Sequence, residues 1–395
     1  MLFKITIASL ALAGKVLWTL AAITRSHSSS PFDWGPCEFV YEIEATAKFE
    51  CSNFTVPLDC LKTSVNKTLN LRVTRVPAVN GESHGSIFFN QLRRAESRMQ
   101  LKDALEGPES LLNYWGMSYG TILARHNCGR HVLRQDGSSD VDNAVYDYLD
   151  RCVKAGPDLC PLAARNKSAY VLNKRMYEFM DELLRLPIPI GDATVIDASA
   201  FKLALRLILY GNSLWPTFSI ILNELFKAAD QRDLNTIVSI WIPVAEATDI
   251  MGHLQDDSMF GIYCSDKNTG TDSFDDIFAV SEELAGVSKA LGEVPNNLVY
   301  LCARWPYHAK GGYKSDCNGT IKTANPMLFI GTSEVFVGSG VLTHSGAGHG
   351  VTGHPSLCTA KAIRAYFHGG ELPVKDLNCT ADHDAFDTTK TWKDS

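Results

Sequence analysis

Hydrophobic and polar positions fall into short blocks in the first and last thirds of the chain and recur at helical spacing in the middle. The segments "FECSNFTVPLDC", "TLNLRVTRVPA" and "GSIFFN" set β-branched and aromatic residues between turn signals, which predicts three strands. A charged helical segment follows, "QLRRAESRMQLKDALEG", and Gly107-Pro108 ends it. Residues 111–115, "LLNYW", read as a short buried strand, and a helix begins at Thr121. From about 142 to 241 the pattern is helical. Leu172, Met176, Phe179, Met180 and Leu183 share one face, as the core positions of a helical bundle would. A further helical stretch, "FKLALRLILYGNSLWPTFSIILNELFKAADQ", is broken at Gly211 and Pro216. Strands return in "NNLVYLCARW", "NPMLFIG" and "GSGVLTH", and "PSLCTAKAIRAYFHG" reads as a short helix. The tail after Pro373 reads as polar loop.

The length, 395 residues, leaves room for one large α/β domain with a cap, or for two domains. A net charge of -7 argues against a polyanion-binding surface, so no nucleic-acid partner is expected. The N-terminus changes the picture more. Lys4, an apolar run and small residues predict a signal peptide over 1–25, with cleavage signals at Ala11-Leu12-Ala13 and Leu20-Ala21-Ala22. Lys15 leaves the run too short for a stable membrane span, and the Ser-rich stretch after it argues against a buried helix. The expected location is therefore extracellular. Asn53, Asn66, Asn166, Asn318 and Asn378 each open an N-glycosylation sequon, in keeping with secretion. So do 11 cysteines, of which Cys152 and Cys160 flank a Gly-Pro turn that can bring them together. The odd count leaves at least one thiol unpaired within the chain. Neither CxxC nor HExxH occurs, and no metal or cofactor is implied.

The strand "LLNYW" runs into "GMSYGT", where Ser118 stands between Gly116 and Gly120. A G-x-S-x-G pattern is common by chance, and the bland reading is a solvated serine in a glycine turn. A strand before and a helix after select the alternative, a strained nucleophile elbow that projects the hydroxyl clear of the backbone. Gly116 and Gly120 then serve where chain and helix pack too closely for a Cβ. A serine hydroxyl needs a base. In such a fold the base is a late histidine on a loop after the last strand. His344, His349 and His354 all follow "GSGVL"; His349, in "SGAGHG", has the small neighbours that let a loop turn an imidazole inward. Strands, elbow, helical insert, strands and helix, in that order, predict an α/β-hydrolase fold with a helical cap inserted after the elbow.

Particular motifs resemble one family. "NYWGMSYGT", "CVKAGPDLC", "CARWP", "NPMLFIG" and "HPSLCTAKAIRAYFHGGELP" are similar to segments of the secreted tripeptidyl aminopeptidase-like branch of the α/β-hydrolases, relatives of prolyl aminopeptidases with a TAP-like C-terminal domain. The similarity runs from about residue 49 to 372. It implies Ser118 as nucleophile, His349 as base and the Tyr119 N–H as an oxyanion donor. It also implies a peptide or small acyl substrate, since the family removes short N-terminal peptides and some relatives hydrolyse esters. The corresponding layout is an N-terminal core part over 35–141, a helical cap over 142–262, a TAP-like part over 263–375 and a polar tail over 376–395. No oligomeric state follows from it.

Three departures from the family pattern stand out. Asn90 is followed by "QLRRAESR" rather than by a Gly- and Pro-rich loop, so the second oxyanion donor is unaccounted for. "LFIG" runs into "TSEVFVGSGVLTH", so the acid that orients the histidine is either Glu334 or absent. The stretch after the elbow, "RHNCGRHVLRQDGSSDVD", does not read as the usual helix and strand, which predicts an incomplete sheet. Gly350 also replaces a cysteine, which would orphan a partner such as Cys358. The alternatives are an active peptidase, a small-molecule esterase, and a non-catalytic descendant or a chain with skipped internal segments.

Overall fold

The computed structural model describes residues 30–38, 48–59, 66–78, 83–89, 95–118, 120–121, 140–165, 168–190, 194–253, 256–266, 270–294, 296–307, 325–331, 338–346 and 348–387. The chain divides into two compact units, Met1–Trp115 and Gly116–Ser395.

In the first unit, β1 (Gly35–Pro36), β2 (Glu50–Pro57) and β3 (Thr68–Arg75) form an antiparallel sheet in that order. The Cys37–Cys51 disulfide ties β2 to the segment before it. At the sheet end Arg75 pairs with Glu50 at 2.8 Å and lies 4.0 Å over the Trp34 ring. A separate parallel pair joins β4 (Ile87–Phe89) to β5 (Asn113–Trp115), with helix α1 (Ala95–Glu106) as the crossover. The crossover fits the rule that parallel neighbours need a helix between them. The core here is small: Phe32, Phe88 and Leu101, with Trp34, Phe54 and Tyr114 packed around them. Lys102 is fully buried, and its ammonium donates to the carbonyls of Gly107, Pro108 and Ser110, closing the chain behind α1.

The second unit is mostly helix. Its described α-helices up to residue 303 are α2 (Val141–Ala155), α3 (Ala169–Arg185), α4 (Ala198–Tyr210), α5 (Trp215–Asp230), α6 (Leu234–His253), α7 (Asp256–Asp266), α8 (Phe274–Val287) and α9 (Asn296–Ala303). A hairpin of β6 (Ile188–Ile190) and β7 (Thr194–Ile196) sits between α3 and α4. The periodicity in the sequence translates directly: Leu172, Met176, Phe179, Met180 and Leu183 are all buried on α3. They meet Phe201, Trp215, Phe226 and Tyr148 in one continuous core. The Trp215 indole satisfies its N–H on the Ile208 carbonyl at 3.0 Å. The break in the long apolar stretch falls at residues 211–214; Pro216 does not interrupt a helix but opens α5, where a missing N–H costs nothing.

Beyond the helices, β8 (Leu328–Ile330), β9 (Gly340–Ser345) and β10 (Leu377–Thr380) form a parallel sheet in the order β10-β9-β8. Helix α10 (Leu357–Gly369) precedes β10; Ser356 caps its start and Gly370, at φ +69°, ends it. The described strands thus form four separate small sheets beside the helices, a mixed α/β class. Among the described residues no helix is long and apolar enough to cross a membrane.

Four disulfides join described residues: Cys37–Cys51, Cys152–Cys160, Cys264–Cys302 and Cys358–Cys379. Three expectations change. "NNLVYLCARW" is helix α9, not strand, and its Cys302 is buried in the bridge to Cys264 of α7. Cys358 is not orphaned, because its partner is Cys379 on β10 rather than a residue beside the histidine. The polar tail carries β10 and, further on, Phe386, which is buried against Tyr148 and Trp215. One aromatic ring in a polar segment is enough to draw the backbone onto the core.

Candidate functional site

Ser118 lies just past the end of β5, exposed to solvent, with φ +57°. A non-glycine residue in the left-handed region costs about 1–2 kcal/mol and persists only where its surroundings hold it. Here the turn holds it. Gly120 N–H donates to the Met117 carbonyl at 2.9 Å, and the Thr121 N–H and hydroxyl both donate to the Ser118 carbonyl, at 3.0 and 2.6 Å. The turn leaves Ser118 exposed. Gly116 precedes the turn, and Gly120 is buried at the start of a helical turn.

His349 follows β9 on a loop of small residues. Two contacts fix it. Its N–H donates to the Leu209 carbonyl at 2.8 Å, filling an acceptor that the C-terminal turn of α4 leaves without a helical partner. Its ring lies 4.5 Å, centroid to centroid, from that of Tyr210. The next residue, Gly350, has φ +85°, and a Cβ there would stand 2.9 Å from Met117 Sδ. Only glycine lets this loop lie so close to the residue before Ser118. The structure therefore brings the elbow, the His349 loop and the end of α4 together within the second unit. Ser118 Oγ and His349 Nε2 are not hydrogen-bonded; His349 Nε2 is buried with no partner among the described residues. Apo geometry of this kind is common where a base tightens on its nucleophile only with substrate bound.

Burial, and then the positive charge of Arg206, hold the His349 pKa below the ordinary histidine value. Arg206 sits on α4 one turn before Tyr210, and its guanidinium donates to the Tyr210 hydroxyl at 3.2 Å. Neither residue was marked by the sequence patterns above. The one available signal was a pair of cations, Lys202 and Arg206, inside the apolar run "FKLALRLILY". The other two late histidines have packing roles. His344 Nδ1 is 2.8 Å from the Thr359 hydroxyl on α10, and the fully buried His354 lies edge-on to Trp215 at 5.8 Å.

Tyr119 and Glu334 lie outside the described residues, as do Asn166 and Asn318. Among the described residues no carboxylate is hydrogen-bonded to His349. The position after Asn90, where the family's oxyanion loop would begin, lies outside the described residues, and helix α1 begins at Ala95. The sequon residues Asn53, Asn66 and Asn378 are exposed. A separate cavity of about 300 Å³ runs along α3, lined by Tyr170, Asn173, Tyr177 and Lys289 among others; it includes neither Ser118 nor His349. A cavity without a nucleophile or base carries no chemistry of its own.

Residues 288–379 match an abhydrolase family model described as TAP-like protein. The matched stretch contains α9, β8, β9, His349, α10 and all but the last residue of β10, and it covers the motifs "CARWP", "NPMLFIG" and "HPSLCTAKAIRAYFHGGELP". It makes this part of the chain similar to the TAP-like portion of the α/β-hydrolases, in keeping with the mixed α/β class, and it points to a hydrolase. No curated protein matches the chain.

Proposed function

We propose that the chain is a secreted serine hydrolase acting on short peptides or small acyl compounds, with Ser118 as nucleophile and His349 as base. The observation that carries this reading is the left-handed Ser118 beside the His349 loop, with Met117 packed against Gly350. Ser118 Oγ attacks the carbonyl carbon while His349 Nε2 takes its proton. The Tyr119 N–H, the residue after the nucleophile, donates to the oxyanion. The imidazolium then returns the proton to the leaving group, and water repeats the cycle on the acyl-enzyme. Glu334 is the proposed acid behind His349. Family resemblance favours exopeptidase action, with the helical region choosing the substrate. Four disulfides and the exposed sequon asparagines support passage through an oxidising secretory route.

A specific observation favours a second reading. With no carboxylate on His349 among the described residues and no glycine in the sequence between Asn90 and Gly107, a non-catalytic descendant is the alternative. Loss of one oxyanion donor alone costs roughly a hundredfold or more in rate. Labelling with a fluorophosphonate probe separates the two. Covalent labelling of the wild type that vanishes in Ser118→Ala is expected. A folded, glycosylated protein that takes no label would belong to the second reading.

A further inference from the structure

We infer that Arg206 anchors a carboxylate of the ligand at the Ser118–His349 site, so that the substrate is an anionic short acyl compound; this deepens the hydrolase reading and rests on it. Four features of the α4 end carry the inference. First, Arg206 is in no ion pair among the described residues, whereas Lys202, one turn earlier on the same helix, is paired with Glu293. Among the described residues the helix thus compensates one cation and leaves the next without a carboxylate. Second, Arg206 is partly exposed and its guanidinium is held in place. It donates to the Tyr210 hydroxyl at 3.2 Å and lies 5.5 Å from the Tyr210 ring centroid. One donor of five is spent on the tyrosine, leaving the planar fork that receives a carboxylate on two oxygens.

Third, the cation stands beside the base itself. Arg206 acts on His349, the group that must become an imidazolium in the transition state. A positive neighbour opposes that step. A ligand carboxylate seated on Arg206 would cancel the opposition at the moment the substrate binds, and so would favour anionic substrates in catalysis as well as in binding. Fourth, the Tyr210 ring, 4.5 Å from the imidazole, gives the short linker between carboxylate and scissile carbonyl a flat apolar wall. The same arrangement disfavours a free amine beside Arg206.

The test uses the full-length Ser118→Ala protein, which binds without turnover, and isothermal titration calorimetry with three neutral-amine-free probes. Acetylglycine presents a chain-end carboxylate, acetylglutamate amide a side-chain carboxylate, and acetylglutamine amide neither. One of the two anions should bind at least about tenfold more tightly than the neutral amide, and which one does so identifies the source of the carboxylate. Adding Arg206→Gln should erase that preference, and Arg206→Lys should keep the charge and restore part of it. Equal binding of all three probes, or a preference that survives Arg206→Gln, overturns the inference. The fluorophosphonate experiment reads the hydrolase assignment separately. An unlabelled wild type with an Arg206-dependent carboxylate preference would remove the hydrolase and leave the anion site standing.

Discussion

The unit ending at Trp115 and the helical part of the unit beginning at Gly116 hold themselves together by different means. In the helical part, the apolar faces of the helices meet, and Tyr148, Phe179, Phe201, Trp215 and Phe226 close into a continuous core. In the N-terminal unit the core is Phe32, Phe88 and Leu101, while Ile87, Phe89 and Leu69 remain exposed. What the smaller unit lacks in packing it makes up in polar closure: the Cys37–Cys51 bridge, the Arg75–Glu50 pair and the three carbonyls gathered by Lys102. Burial scales with the apolar area removed from water, so the two halves should respond differently to loss of a ring.

The sharpest contrast comes from aromatic deletions. Trp215→Ala should destabilise the helical part by about 3–5 kcal/mol, because the cavity is walled by fixed helices and an indole N–H bond is lost with it. Phe88→Ala should cost the N-terminal unit roughly 2 kcal/mol, since its sparse surroundings can relax into the gap. Urea unfolding followed by circular dichroism and by hydrogen exchange checks both; equal losses would break the contrast. Removing the Cys358–Cys379 bridge by paired alanines should cost about 3 kcal/mol and deprotect the amides of β9, β10 and α10 without loosening α3 or α5. In the N-terminal unit, Lys102→Met should cost about 2 kcal/mol, as three carbonyls lose the buried ammonium that gathers them, and the loss should appear in the same exchange measurement on α1 and β5. The smallest effect lies in the elbow. Both Ser118→Gly and Ser118→Ala remove the hydroxyl, but only glycine accepts φ +57° freely, so the glycine variant should be the more stable by about 1 kcal/mol in the same denaturation assay.

The same physics decides what could be read from the sequence. The amphipathic helix α3 was legible because a 3.6-residue period needs no partner to declare itself, and its five apolar positions are all buried. The strands β2, β3, β4, β8 and β9 and the helix α10 were legible from β-branched runs and caps. Helix α9 was not. A short apolar run such as "NNLVYLCA" suits strand or helix, and the bridge from Cys302 to Cys264, 38 residues away, is tertiary context. Cys358 was misjudged for the same reason, and Phe386 because a lone ring in a polar tail has no period. The left-handed turn at Ser118 could be read because its glycines and serine are local. Arg206 and Tyr210 could not, because only the end of α4 meeting a loop more than a hundred residues later gives them a role. Glu334, Tyr119 and two sequon asparagines lie outside the described residues, and their roles remain proposals.

The central claim is that Ser118 and His349 act as one unit. Its most direct measurement is the rate of fluorophosphonate labelling against pH, in the wild type and in His349→Gln. A base works in its neutral form, so the rate should rise with pH through the His349 titration and level off above it. Burial first, and Arg206 second, hold that titration below the ordinary value of 6.5, so labelling should be near its plateau at neutral pH and fall only in acid. His349→Gln should lower the rate by roughly a hundredfold or more and flatten the profile. Labelling that is unchanged in His349→Gln, or that rises only above pH 6.5, would contradict the account.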